Sequence, residues 1–104
     1  MKRGEVWWAR LGSPVGTRPV LLLSRDSMPA SRGEITVAYL TSTIRHRDVE
    51  VSLTPAEGVP RNCVVNLDSI NTIAKNVLRH RICALSATKM LAVKDAIVVA
   101  LDLK

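Results

Sequence analysis

Apolar residues come in short β-rich runs up to about residue 85 and at helical spacing thereafter. Residues 5–11, EVWWARL, are rich in β formers, and Gly12, Pro14 and Gly16 punctuate the next stretch, which predicts a strand and then a short loop. In GTRPVLLLSRD the run Val20 to Leu23 has no polar alternation, so a strand over 19–24 is expected to be covered on both faces. Pro29 and Gly33 break regularity before ITVAYLTST. There Ile35, Val37, Tyr39 and Thr41 share one face of a strand over 35–43, and Thr36, Ala38, Leu40 and Ser42 share the other. Both faces are mostly apolar, which makes this strand central. VEVSL, residues 49–53, alternates as a strand with one wet face, and TPAEGVPRN reads as a loop.

CVVNL, INTIAK and LRHRICAL supply further short β segments between residues 63 and 85. The last stretch, SATKMLAVKDAIVVALDLK, has no Gly or Pro. Ser86 suits an N-cap, and Met90, Val93, Ile97, Ala100 and Leu101 recur at helical spacing, so a helix is predicted over 87–103. Leu91, Val98 and Val99 give it more apolar surface than one core contact requires, which leaves homodimerisation and deep burial both open. The pattern as a whole predicts a mainly β fold: a small antiparallel β-barrel closed by a C-terminal α-helix.

Length, 104 residues, fits a single domain over 1–104 with one core. The formal charge of +6 points to an anionic partner, nucleic acid first. That charge is diffuse: residues 1–50 carry eight Lys/Arg against five Asp/Glu and residues 51–104 carry seven against four, so each half is +3. Aromatics are only Trp7, Trp8 and Tyr39, too few for a platform that stacks several bases, so RNA contacts should lean on phosphates and hydrogen bonds. Cys63 and Cys83 form no CxxC pair and read as buried reduced thiols, a disulfide being open to them but unneeded. Met1-Lys2-Arg3 opens no apolar signal segment and no window reaches the length of a membrane span, so a cytoplasmic protein with no membrane association is expected.

The available chemistry is narrow. The nine acidic residues are scattered, which disfavours paired-carboxylate catalysis and a metal-assisted nuclease, and two histidines do not make a zinc site. GxSxG, Walker and GxGxxG loops are missing from the sequence, so no metal or cofactor is expected. What remains is Arg18 at a strand end, stiffened by Pro19, and the hydroxyls of LTST, residues 40–43. Such an arginine fits a surface cap as well as an anion site. RNA cleavage needs little more, because the substrate carries its own nucleophile, the 2′-hydroxyl, and the protein must hold the phosphate and stabilise its developing charge.

RGEVWWARLG, RPVLLLS, YLTST, VVNLDSI and LSATKMLAVKDAIVVALDL, in that order and over nearly the whole chain, resemble the MazF/PemK family of toxin endoribonucleases from toxin–antitoxin pairs. The resemblance implies an SH3-like barrel of the MazF/CcdB type, a homodimer, and metal-independent cleavage of single-stranded RNA at a short sequence. It also implies a cognate antitoxin that folds a flexible acidic tail across the RNA groove. The family's catalytic arginine falls on Arg18 and its catalytic threonine on Thr41. Ser42 is a weaker candidate because alternation turns it to the opposite face; Arg45, His46 and Arg47 are candidate substrate contacts, His46 a guess at the unassigned general base. Two departures stand out: a short GSPVGT loop after the first strand, and DSINTIAK, where Ser69, Asn71 and Ala74 replace the family's usual residues and a changed cleavage sequence, or weakened activity, could follow. A gyrase-poisoning CcdB-like toxin of the same fold is the main alternative, weakened because no tryptophan follows Trp8; a non-catalytic RNA-binding barrel is a third.

Overall fold

The computed structural model describes residues 1–103. Six strands, β1 (Glu5–Arg10), β2 (Thr17–Leu22), β3 (Glu34–Thr41), β4 (Glu50–Leu53), β5 (Cys63–Ala74) and β6 (Leu78–Ala84), precede one helix, α1 (Ala87–Ala100). All strand pairs are antiparallel, and the spatial order β4-β5-β3-β2-β1-β6 makes one sheet that curls into a half-barrel. The expected β-barrel with a terminal helix is thus present in half-closed form.

Both faces of the middle strands are covered, as the unbroken apolar run of β2 predicts. On one face Val6, Leu21, Ala38, Leu40, Val65 and Leu67 pack with Val93 and Ala96 of α1. On the other, Ala9, Val20, Leu22, Ile35, Val37 and Leu78 pack beneath Trp7, Met28 and Tyr39. Period-two alternation therefore sorts β1, β2 and β3 into two cores, and polar chemistry on these strands has to emerge at their ends.

Two elements differ from expectation. CVVNL and INTIAK are one twelve-residue strand, β5, not two. Its pairing with β3 jumps from Ala38↔Ile70 to Tyr39↔Asn66, so Leu67, Asp68 and Ser69 have no partner there. This β-bulge bends the strand, and the polar NLDS that reads as a strand break is its sequence trace. The helix ends at Ala100, short of 103, because Asp102 adopts the left-handed conformation with φ 53°. Its N–H donates to Val99 O at 3.2 Å and that of Leu103 to Val98 O at 2.9 Å, a Schellman stop made with aspartate in place of glycine. Ser86 caps the other end as predicted, accepting from Lys89 N at 3.1 Å.

The open side of the half-barrel is bridged by the segment after β4. Thr54 and Glu57 form a capping box around a short 3₁₀ turn, Pro55–Glu57, and Gly58 ends it with φ 109°. Gly58 lies against β6: a Cβ built on it would sit 2.7 Å from Cys83 Cβ. Both the torsion and the space demand glycine. Gly58→Ala should therefore cost at least about 2 kcal/mol in urea unfolding, against about 1 kcal/mol for the same change at Gly12, where backbone strain acts alone. Gly12 also has positive φ, 75°, but nothing lies within 4 Å of its Cβ position. Equal losses at the two sites would contradict the bridging contact.

Candidate active site

β2 begins where β3 ends, and their ladder stops early. Leu23 donates its N–H to Thr36 O at 2.9 Å on the β3 side, whereas Leu22 O accepts from Gly4 N on the β1 side at 3.0 Å. Alternation along an extended strand turns position 19 toward β3 as well. That residue is Pro19, which has no N–H, and pairing between the strands ends one residue later at Val20↔Tyr39. Continuing the same register by two residues sets Arg18 opposite Thr41, on the face shared with Val20 and Tyr39. The two candidate residues thus lie together where the ladder ends.

Both line two adjoining clefts. The first, about 200 Å³, is walled by Trp8, Pro19, Leu40, Ser42, Arg61 and Cys63; the second, about 300 Å³, by Tyr39, Thr43, Arg45, Glu50, Asn66 and Ser69. Ser42 belongs to the first only, as its alternation expects, and Arg45, in the loop after β3, to the second only. His46 and Arg47 line neither cleft. Arg18 is half-buried, and none of the ion pairs among the described residues involves it, so its guanidinium donors face the clefts uncommitted. Thr41 Oγ1 accepts from Thr43 N at 3.1 Å, which fixes the side chain and leaves the hydroxyl hydrogen to donate elsewhere.

Glu50 organises the cationic loop between β3 and β4. Its side chain is only 3% exposed; Oε1 accepts from Arg45 N at 3.1 Å and Oε2 lies 3.8 Å from Arg47 Nε. Arg47 also reaches Asp68 at 4.0 Å, while His46 takes the left-handed conformation with φ 55° so that the chain wraps the carboxylate. Burial alone would raise the Glu50 pKa, but the backbone N–H groups of Arg45, Arg47 and His46 and the Arg47 charge outweigh it and hold the carboxyl below the ordinary glutamate value. Cys63 behaves oppositely: burial, then the neighbouring Cys83, push its thiol up, so it lines the first cleft as a neutral thiol and not as a nucleophile. Cys83 is likewise a free thiol raised by burial. Among the described residues, no three His, Cys, Asp or Glu side chains gather in a metal-binding group.

Sequence reasoning missed Trp8, Arg61, Tyr39, Asn66 and Glu50 as site residues. Glu50 looks like the wet face of an alternating strand; its signal was an acidic residue shortly after the basic run RHR, which needs a counter-charge. Ser69 was marked only as a departure from the family pattern, and the bulge is what carries it to the cleft.

Residues 2–101 match the family described as PemK-like, MazF-like toxin of type II toxin-antitoxin system. The chain is similar to a Mycobacterium tuberculosis protein named probable endoribonuclease MazF2, 43% identical over 86% of this chain and 87% of that one. It is also similar to probable endoribonuclease MazF5 of the same organism, 41% identical over 96% and 92%. Among solved structures, the Mycobacterium tuberculosis toxin MazF-mt6 superposes with TM-score 0.88 at 32% identity over 96% of this chain and 98% of that one. A mycobacterial endoribonuclease in complex with its cognate antitoxin gives TM-score 0.88 at 26% identity over 100% and 97%.

The Glu50 geometry makes a pH-dependent prediction. Its folded-state pKa lies below its unfolded one, so its contribution to stability is present above the unfolded value and is lost as pH falls through the folded value. Glu50→Gln should be less stable than the parent near neutrality, with the difference closing as urea titrations move from about pH 7 to about pH 3. A difference that stays constant over that range would remove Glu50 from this role.

Proposed function

This chain belongs to the PemK-like, MazF-like toxin family of type II toxin–antitoxin systems, and on that premise we propose that it is an endoribonuclease toxin that cuts single-stranded mRNA at a short sequence in the cytoplasm. The observation that carries this reading is the meeting of Arg18 and Thr41 at the end of the β2–β3 ladder, with the donors of both facing the same two clefts. Curated relatives named endoribonucleases favour RNA cleavage over the gyrase-binding alternative. No helix among the described residues is long and apolar enough to cross a membrane.

In the proposed reaction the 2′-hydroxyl of the substrate attacks the adjacent phosphorus and the bond to the 5′-oxygen breaks, leaving a 2′,3′-cyclic phosphate and a 5′-hydroxyl. Arg18 donates its planar fork to the non-bridging oxygens as their charge grows, and the Thr41 hydroxyl donates to the same phosphate from β3. Arg45 and Arg61, one in each cleft, suit the phosphates on either side. The partner that restrains the toxin is a cognate antitoxin with a flexible acidic tail, a charge complement to this chain's +6.

α1 supports a homodimer. Only Val93 and Ala96 are buried on it, whereas Leu91 is 62% and Val99 51% exposed. An apolar cleft of about 710 Å³ runs along the same helix between Leu23, Met90, Leu91, Val98 and Leu103. Surface of this kind on a small domain marks an interface, and a second copy is the occupant proposed.

The nuclease reading predicts unchanged cleavage in EDTA with cyclic-phosphate ends. Under single-turnover conditions Arg18→Ala should lose on the order of a hundredfold or more. Arg18→Lys should fail too, for lack of the fork. Thr41→Ala should lose less, since a neutral donor contributes a weaker bond. A folded Arg18→Ala protein that cuts at the parental rate would falsify the assignment. Light scattering should give twice the 11.4 kDa chain mass, and Leu91→Glu should halve it; a parental protein that stays monomeric at micromolar concentration rules out this interface.

A further inference from the structure

The bulge in β5 does more than bend the strand. Inside it Asp68 N–H donates to Asn66 Oδ1 at 3.0 Å, and Asn66 Nδ2 donates to Ser69 Oγ at 3.3 Å. The first bond fixes the amide, because a backbone N–H must face the oxygen and not the NH₂ group. Asn66 therefore has its acceptor engaged by its own turn and one N–H left over. Ser69, having accepted from Asn66, has its O–H left to donate. Asn66 and Ser69 both line the larger cleft, together with the half-buried Tyr39 ring, Arg18, Thr41 and Arg45. Glu50, which also borders it, is wrapped by the Arg45 N–H and the Arg47 side chain and is nearly unexposed. Between the two arginines, Asn66 and Ser69 thus present neutral donors to the cleft.

We infer that this cleft is a base-reading subsite, which takes one unstacked RNA base beside the scissile phosphate and selects a keto base, guanine or uracil. The base lies against Tyr39, whose ring offers an apolar face of the kind unstacked bases use. Its carbonyl, O6 of guanine or O4 of uracil, accepts from Asn66 Nδ2 and Ser69 Oγ. Adenine and cytosine carry an amino group at that position, so the spare Asn66 N–H would meet it donor to donor, and the Ser69 hydroxyl, already accepting from Asn66, could accept from it only by turning its own O–H away from the base. The guanidinium groups of Arg18 and Arg45 at the rim hold the flanking phosphates and set the base's depth. Asn66 and Ser69 are specificity residues, distinct from the pair that acts on the phosphate.

The inference rests on the RNA-cleaving reading, and a randomised RNA pool separates the two. The parental protein, Ser69→Ala and Asn66→Asp are each incubated with the pool, the new ends are sequenced, and circular dichroism confirms folding. Parental cuts should show guanine or uracil at one position flanking the break. Ser69→Ala leaves the Asn66 turn bond intact and should still cut, with the keto-to-amino ratio at that position reduced roughly tenfold. Asn66→Asp keeps an acceptor for the Asp68 N–H but replaces both donors, so its preference should move toward adenine and cytosine. Variants that cut with the parental preference, a parental preference for amino bases at both flanking positions, or folded variants that lose cutting equally at every base would each overturn the subsite. A parental protein that cuts no RNA at all instead removes the nuclease reading, and the subsite with it.

Discussion

A single missing N–H organises the functional end of this molecule. β2 and β3 sit in the middle of the sheet, buried on both faces, and a continuous ladder between them would leave no opening for a substrate. Pro19 withholds its donor on the β3 side, and the ladder ends at Val20↔Tyr39. Two aliphatic cores hold the strands rigidly up to that point. Beyond it, Arg18 and Thr41 are half-buried on ordered backbone and line two clefts, so polar groups there are held in place by the cores behind them.

The electrostatic design has two tiers. Arg18 and Thr41 keep donors uncommitted, whereas the positively charged loop beside them is tied down by a carboxylate that the solvent hardly sees. Like charges at Arg45 and Arg47 would otherwise repel and spread. Glu50 gathers their backbone N–H groups and the Arg47 side chain, and Asp68 on the bulge adds a second tether. The result is positive potential held at a fixed place beside the cleft instead of swept over a mobile loop.

Much of this was legible in the sequence, and the failures have physical causes. The strand cores were readable because Val20 to Leu22 and the alternation of Ile35 to Leu40 have no other economical burial. The Arg18–Thr41 pair was reached by resemblance, and both residues line the same two clefts. NLDS misled because an Asx-type turn has the same composition whether it ends a strand or bulges within one. The helix was drawn too long because Asp102 performs a stop that glycine usually signals. Glu50 and Asn66 escaped notice because their importance lies in their hydrogen-bond partners, and those partners are set by loop geometry that no periodicity encodes.

The bulge separates two obligations that most strand residues carry together. Leu67 keeps its side chain in the core and its N–H on Val49 O, so the strand stays anchored. Asp68 and Ser69, free of any β3 partner, are released from register. Exchanging Ser69 therefore changes the lining of a cleft without moving a ladder or opening a void. On such a scaffold the chemistry of a cleft and the stability of the fold can change independently, because the residue that varies the one carries no part of the other.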